Sequence, residues 1–318
     1  MVNAEKVENI TPTIQTAKYS KLRIIAQNYQ IYLMILPCVL YFAVFCYWPM
    51  YGVQIAFKDF NTGLGIWNSN WVGLKHFNRF IGLPQFWNVF RNTLILSFYS
   101  LIAGFPFPII FALMINEVKN GRYKKIAQTV TYAPHFISTV VMVSMITLFL
   151  SPMSGFVNKI IEYFGGETIN FMIKSEYFPH VYVWSGIWQH FGWNSIIFLA
   201  TLANVDQSLH ESAAIDGATR TQRIWHINIP CLAPTIVIQL ILTLGRIVGA
   251  DFEKVLLLQN NSIMDTADVI GTYTYRLGIQ GSQFSLSSAI GLFNSVINIV
   301  ILVIVNSAAK RLSETSLW

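Results

Sequence analysis

The chain has 318 residues, of which 54% are apolar and only 11% charged, with 23 Phe, 14 Tyr and 9 Trp. Soluble domains carry about a quarter charged residues, so an ordinary soluble enzyme and a disordered chain are both excluded. The net charge of +6 comes with no basic run interleaved with aromatics, and Cys38, Cys46 and Cys231 have no metal-ligand spacing, which argues against a nucleic-acid binder, a zinc site and a disulfide scaffold.

Crossing about 30 Å of hydrocarbon takes about 20 mostly apolar residues, and a helix satisfies its own backbone there. Six stretches reach that length, at about 30–50, 88–115, 127–151, 180–204, 233–258 and 284–308. A mean hydropathy of +0.49 leaves room for sizeable loops between them. Ile31 to Trp48 carries no charge. It is too long for a signal-peptide core and lacks a small-x-small site, so a retained first helix is expected. The fold class is all-α integral membrane, divided into a tail at 1–29, a transmembrane domain at 30–308 and a second tail at 309–318.

Orientation follows from Lys and Arg placement. Twelve fall on one side: Lys6, Lys18, Lys21 and Arg23; Lys119, Arg122, Lys124 and Lys125; Arg220 and Arg223; Lys310 and Arg311. The opposite connections hold six: Lys58, Lys75, Arg79, Lys159, Lys174 and Arg276. Both termini are therefore expected in the cytoplasm. In one outer loop, residues 71–90 alternate aromatic and basic side chains. A helix lying in the interface and a plain loop anchored by Trp71 and Phe77 both fit that pattern.

The connection between the fourth and fifth spans (205–232) is the most informative. It reads Ser208-Leu-His-Glu211-Ser-Ala213-Ala214-Ile-Asp216-Gly217-Ala218, then Ile227-Asn-Ile229-Pro230 and on to Pro234. Ser208 with Glu211 three residues later is the pattern of a capping box. A short helix is expected from there, with a small-residue face (Ala213, Ala214, Ala218) and Gly217 at its end. A second short helix follows over Thr221 to Ile227, and Pro230 and Pro234 are expected to mark the start of the fifth span.

This string resembles the EAA loop of permease subunits in ATP-binding-cassette (ABC) importers, Glu-x-Ala-x-x-x-Gly followed by Ile-x-Leu-Pro. Glu211, Ala213, Gly217, Ile227 and Pro230 match, and Ile229 replaces the usual Leu. Asp216-Gly217-Ala218 is similar to the carbohydrate-uptake branch, relatives of the maltose permease. Tyr51-Gly52, Ala56-Phe57-Lys58-Asp59, Trp71-Val-Gly73, Asn92-Thr93-Leu94, Gly155-Phe-Val-Asn158 and the closing Ser316-Leu317-Trp318 resemble the LplB-type oligosaccharide and polysaccharide subgroup.

The resemblance implies a six-helix type I importer permease with a MetI-like core in the bacterial inner membrane. It implies a second permease, two ATPase subunits and an extracytoplasmic binding protein as partners. Glu211, Ala213, Ala214, Asp216, Gly217 and Ala218 would form the helix that couples to the ATPase. The chain itself holds no Gly-x-x-x-x-Gly-Lys-Ser/Thr loop. It is expected to be non-catalytic and to bind no cofactor or metal, with ATP and Mg used by its partners.

Polar residues inside spans are costly and tend to face a cavity or a partner. The fourth span carries Gln189, His190, Trp193 and Asn194. The fifth carries Gln239, Thr243, Arg246 and Glu253 at spacings of one helical stripe, and the sixth carries Ser287, Gly291, Asn294 and Asn298 at another. Residues such as Ser287 and Gly291 more often serve helix packing, while a bond to a neighbouring helix accounts for Asn298, interface anchoring for Trp184 and Trp188, and a salt bridge to the partner permease for Arg246. Matching to the maltose-type permeases places sugar contacts at Gln189, His190, Trp193 and Asp251. An aromatic face suits a pyranose ring. Arg246 and His190 depart from the neutral-sugar pattern, and a guanidinium suits carboxylates, so the expected cargo is an acidic, uronate-containing oligosaccharide. Two other classes compete: a membrane enzyme acting on lipid-linked sugar, with Asp251 or Glu253 as acid or base, and an ion-driven secondary transporter.

Overall fold

A computed structural model describes residues 28–313. The cationic tail residues Lys6, Lys18, Lys21 and Arg23 and the closing Ser316-Leu317-Trp318 lie outside the described residues. The chain divides into two units, Met1–Val53 and Gln54–Trp318.

In the first unit, α1 (Tyr29–Phe42) continues through a wide π turn, Ala43–Tyr47, into Trp48–Met50. Pro49 explains the wide turn: it brings no N–H, and its ring crowds the carbonyl four residues back. α1 buries none of its side chains. An apolar helix exposed all round suits a surrounding solvent of lipid.

The second unit opens with a two-stranded antiparallel clip, β1 (Lys58–Asp59) on β2 (Asn70–Trp71). A short helix, α2 (Lys75–Ile81), follows and buries His76 and Phe80. Phe80 belongs to a core cluster with Phe86, Ile270 and Leu286, so residues 75–81 form a helix packed onto the protein. Asp59 is tied to Lys75 at 2.6 Å. That bond holds the Asp59 carboxyl below the usual carboxylate range.

The remaining helices are α3 (Gln85–Gly104), α4 (Pro106–Asn116), α5 (Gly121–Tyr132), α6 (Thr139–Phe149), α7 (Phe156–Tyr163), α8 (Phe178–Asn194) and α9 (Ile196–Ala203). Then come α10 (Gln207–Ile215), α11 (Arg220–Arg223), α12 (Ile229–Leu244), α13 (Phe252–Leu258), α14 (Met264–Ala267), α15 (Ile270–Tyr275) and α16 (Phe284–Ser313). One core cluster joins α3, α6, α8 and α13 through Leu96, Val143, Val183 and Val255. Another joins α4, α9 and α12 through Ala112, Phe198 and Leu232.

The all-α membrane class stands, but six unbroken spans do not. Among the described residues, four helices are long and apolar enough to cross a membrane: Tyr29–Phe57, Gln85–Asn116, Arg220–Leu244 and Phe284–Arg311. The third stretch is bent by 100° between Phe136 and Thr139, where Pro134 opens a 3-10 turn (Ala133–Phe136) and Ser138 caps α6. The fourth folds as α8 and α9 in series, meeting at the fully buried Ser195. The fifth stops at Leu244. Residues 245–251 leave the helix, with Gly245 and Gly249 at the break, and Asp251 caps α13 by accepting from the Lys254 N–H at 3.3 Å. Arg246 and Glu253 therefore do not continue a stripe with Gln239 and Thr243.

The hairpin between α9 and α12 also differs from expectation. Asp206, not Ser208, is the N-cap of α10, accepting from the Ser208 N–H at 2.9 Å. An ionised carboxylate makes a stronger cap than a hydroxyl and complements the helix dipole, and the same bond holds the Asp206 carboxyl below its usual range. The capping box lies one helix later. Thr219 accepts from the Gln222 N–H at 3.3 Å, and its own N–H donates to Gln222 Oε1 at 2.8 Å. α11 then runs through a π turn (Ile224–Asn228) straight into α12. Pro230 and Pro234 thus lie within helix and do not mark its start, and Pro230 explains the wide turn before it as Pro49 does in α1.

Candidate functional site: a cation-bearing cavity and an exposed hairpin

A cavity of about 850 Å³ lies within the second unit. One wall is the α3–α4 break around Gly104 and Phe105, another is formed by α8 residues between Tyr182 and Asn194, and a third comprises Gln239 and Thr243 of α12 with loop residues 246, 247 and 249–251 and Lys254. The α12 break turns the loop onto this space. Val248 N–H is held by Asn298 Oδ1 at 3.0 Å, and Asp251 N–H donates to the Tyr182 hydroxyl at 2.8 Å.

Of the residues expected in the pathway, His190, Trp193, Asn194, Arg246 and Asp251 line the cavity together. Gln189, Asn294 and Asn298 are not among its lining. Gln189 is buried and donates to Ile137 O at 2.9 Å, tying α8 to the bend between α5 and α6. Asn298 fixes the loop, and Asn294 has a buried Oδ1 with no hydrogen-bond partner. Arg246 is exposed and makes no ion pair among the described residues.

The bend adds a support that the sequence reading missed. The His135 ring stacks on Trp193 with centroids 4.4 Å apart and planes at 6°, and Phe136 meets the same indole edge-on at 5.5 Å. His135 Nδ1 lies 3.1 Å from His190 Nδ1, so one imidazole donates to the other. Gly192 permits this closeness: a Cβ there would lie 2.2 Å from Thr131 O of α5.

Lys254 was also missed. It is 4% exposed, and its Nζ donates to Tyr182 O at 3.0 Å and lies 5.1 Å from that ring's centroid. The signal was present in sequence: a single lysine heading the apolar run Val255-Leu-Leu-Leu258 just after an N-cap aspartate.

The hairpin presents its side chains outward. α10 buries none of its residues, and Leu209, Ile215 and Trp225 are exposed, Ile215 by 87%. Glu211, Ala214, Asp216 and Gly217 are exposed, and Ala213 and Ala218 half-buried. Gly217 has φ +79°, and the Ala218 and Gly217 N–H groups donate to Ala213 O (2.8 Å) and Ala214 O (3.2 Å). This is a Schellman stop, which favours glycine at the left-handed position.

Residues 104–314 match the model of the family described as "binding-protein-dependent transport system inner membrane component". The chain belongs to that family. The permease is 41% identical over 297 residues to the polygalacturonan/rhamnogalacturonan transport system permease protein YteP of Bacillus subtilis, covering 93% of the chain and 92% of the relative. It is 42% identical over 288 residues to protein LplB of the same organism, covering 91% of each. Among solved structures it is similar, at 40% identity and TM-score 0.85, to a chain of a bacterial ABC transporter involved in the import of the acidic polysaccharide alginate, covering 92% of this chain and 99% of that one. The alginate transporter in complex with a periplasmic protein bound to an alginate pentasaccharide matches with TM-score 0.86 at the same identity. The resemblance read from the EAA loop is borne out. The permease is a non-catalytic membrane subunit, which removes the reading of Asp251 or Glu253 as an enzyme's acid or base.

Proposed function

We propose that this permease forms half of the pore of an ATP-driven importer of acidic oligosaccharides, with the cavity as the cargo's path. The observation that carries the reading is Arg246, an exposed guanidinium on a cavity-lining loop with no carboxylate partner among the described residues. An unpaired cation at span depth is costly and marks a pathway or partner site. A guanidinium fork matches a carboxylate with two parallel bonds. Trp193, backed by His135 and Phe136, offers a flat apolar face to a pyranose ring, and His190, Asn194 and Asp251 supply hydroxyl partners. The naming of relatives for acidic polysaccharides agrees with this chemistry.

In this reading, residues 30–308 span the inner membrane beside a second permease, with the tails 1–29 and 309–318 in the cytoplasm. An extracytoplasmic binding protein delivers the sugar. Two ATPase subunits use ATP and Mg and receive α10, whose Glu211, Ala213, Ala214, Asp216, Gly217 and Ala218 make the contact. Exposed Ile215 and Trp225 with a self-capped backbone support this role, because a surface needing no internal partner is available to an external one. ATP shifts the pore between states only through contacts that differ between them, and α10 is the element placed to make them. The ion-driven alternative gains no support from relatives that belong to ABC transporters.

The test is uptake by the assembled importer, reconstituted with binding proteins loaded with neutral or uronate-containing oligomers. ATPase stimulation and uptake with the uronate oligomers alone is the expected result. Equal response to neutral oligomers, or no response to either, would refute the acidic cargo.

A further inference from the structure

The cavity wall holds a second cation whose environment differs from that of Arg246. Lys254 is 4% exposed, yet none of the three ion pairs among the described residues includes its ammonium. Of its three N–H donors, one meets Tyr182 O at 3.0 Å, and the Tyr182 ring supplies a π face at 5.1 Å. Glu253 adjoins Lys254 in the chain without pairing to it, and Asp251, whose charge reaches the ammonium only through space, spends its hydrogen bond on capping α13 through the backbone N–H of the same lysine. On the facing helix, Gly186 keeps the space beside the ammonium open, since a Cβ there would sit 3.2 Å from Nζ. Lys254, Tyr182, Asp251 and Gly186 line the same cavity.

A buried charge with no carboxylate in ion-pair range is costly, and a merely structural tie between α13 and α8 does not require one: a neutral donor would bond Tyr182 O as well. We infer that Lys254 is an anion-holding subsite that takes one carboxylate of a uronate-containing chain at a time, with Gly186 leaving the room for it. The inference rests on the acidic-cargo reading above and deepens it. Arg246, exposed on its loop, can follow a moving chain, whereas Lys254 is held at one point and sets where a carboxylate must stop.

The test measures equilibrium binding of pentagalacturonate and of its carboxyl-reduced, neutral counterpart to the purified transporter complex in nanodiscs, without the binding protein. The readout is the ratio of the two affinities within each variant, so loss of folded protein does not distort it. The wild-type complex is expected to prefer the acid. In Lys254→Met that preference should fall about tenfold or more, the scale of one lost charge-assisted bond, and Lys254→Arg should restore part of it. Gly186→Ala, which crowds Nζ while leaving the charge, should lower the preference about threefold and serves if Lys254→Met does not assemble. A Lys254→Met complex, or failing that a Gly186→Ala complex, with the wild-type ratio would overturn the subsite and leave the acidic-cargo reading standing. A wild-type complex that binds both oligomers equally would sink that reading and the subsite with it.

Discussion

Around α8 and the cavity beside it, three polar side chains are buried and bonded to the backbone of other elements. Tyr182 of α8 holds the Asp251 N–H, Lys254 of α13 holds Tyr182 O, and Gln189 of α8 holds Ile137 O at the bend. In the hairpin from Asp206 to Arg223 the reverse applies. Its helices bury nothing, and Asp206, Thr219 and Gln222 close their bonds on the hairpin's own backbone. The wall depends on its neighbours for shape, while the hairpin makes its shape alone and leaves its outer face unspent. A substitution in the wall should therefore be felt as lost stability or altered cargo choice. One in the hairpin should leave the fold intact and disturb only communication with a partner.

The strongest challenge to the wall is Gly192→Val. Its added Cβ meets the α5 backbone at 2.2 Å, where neither side can yield, and overpacking of this kind costs about 3 kcal/mol or more. Thermal unfolding of the detergent-purified protein should show a clear drop, and an unchanged midpoint would mean that the α5–α8 contact is looser than drawn. The corresponding blow to the hairpin is Gly217→Leu, which forces a left-handed residue costing about 1–2 kcal/mol locally. Membrane insertion should be normal and uptake at least about tenfold lower. Normal uptake would count heavily against coupling through α10.

Arg246→Ala lies between these extremes. It removes a side chain that contributes no ion pair to the fold, so stability should hold while uptake of an acidic oligomer falls about tenfold. Wild-type uptake would end the argument for Arg246.

The smallest effect concerns pH and the hairpin alone. The Ser208 N–H holds Asp206 below the usual carboxylate range, so its stabilisation of α10 is complete above the ordinary value of about 3.9. It is lost as pH falls through the lowered one. Amide exchange in Gln207–Ile215, corrected for intrinsic rate, should quicken only at that acid end. Quickening near neutrality would assign the effect to another group.

Much of this was legible in the residues. The apolar stretches were located, and the glycine stop at 217 followed from small residues ending at a residue without a side chain. His190, Trp193, Asn194, Arg246 and Asp251 do share a cavity. The breaks were harder to see, because apolar character continues across them: Ile247-Val248 and Val255 to Leu258 read as one span with Leu240 to Leu244. Gly245, Gly249 and a cap-forming Asp251 were the available warnings. Gln189 and Asn298 face neighbours because a bend and a loop, both set by tertiary packing, present unpaired backbone groups to them. The pairing of His135 with Trp193 joins residues 58 positions apart and left no local pattern to read.

The helix that begins at Arg220 does not end until Leu244, with only a wide turn on the way. At 1.5 Å per residue it is a rod ~37 Å long, rooted in the exposed hairpin and tipped by the loop that carries Arg246. Such a rod acts as a lever arm: a tilt of ~10° at one end displaces the other by ~6 Å, about one helical turn. Motion imposed from outside the lipid can thus reach the guanidinium without passing through any flexible joint between Arg220 and Leu244.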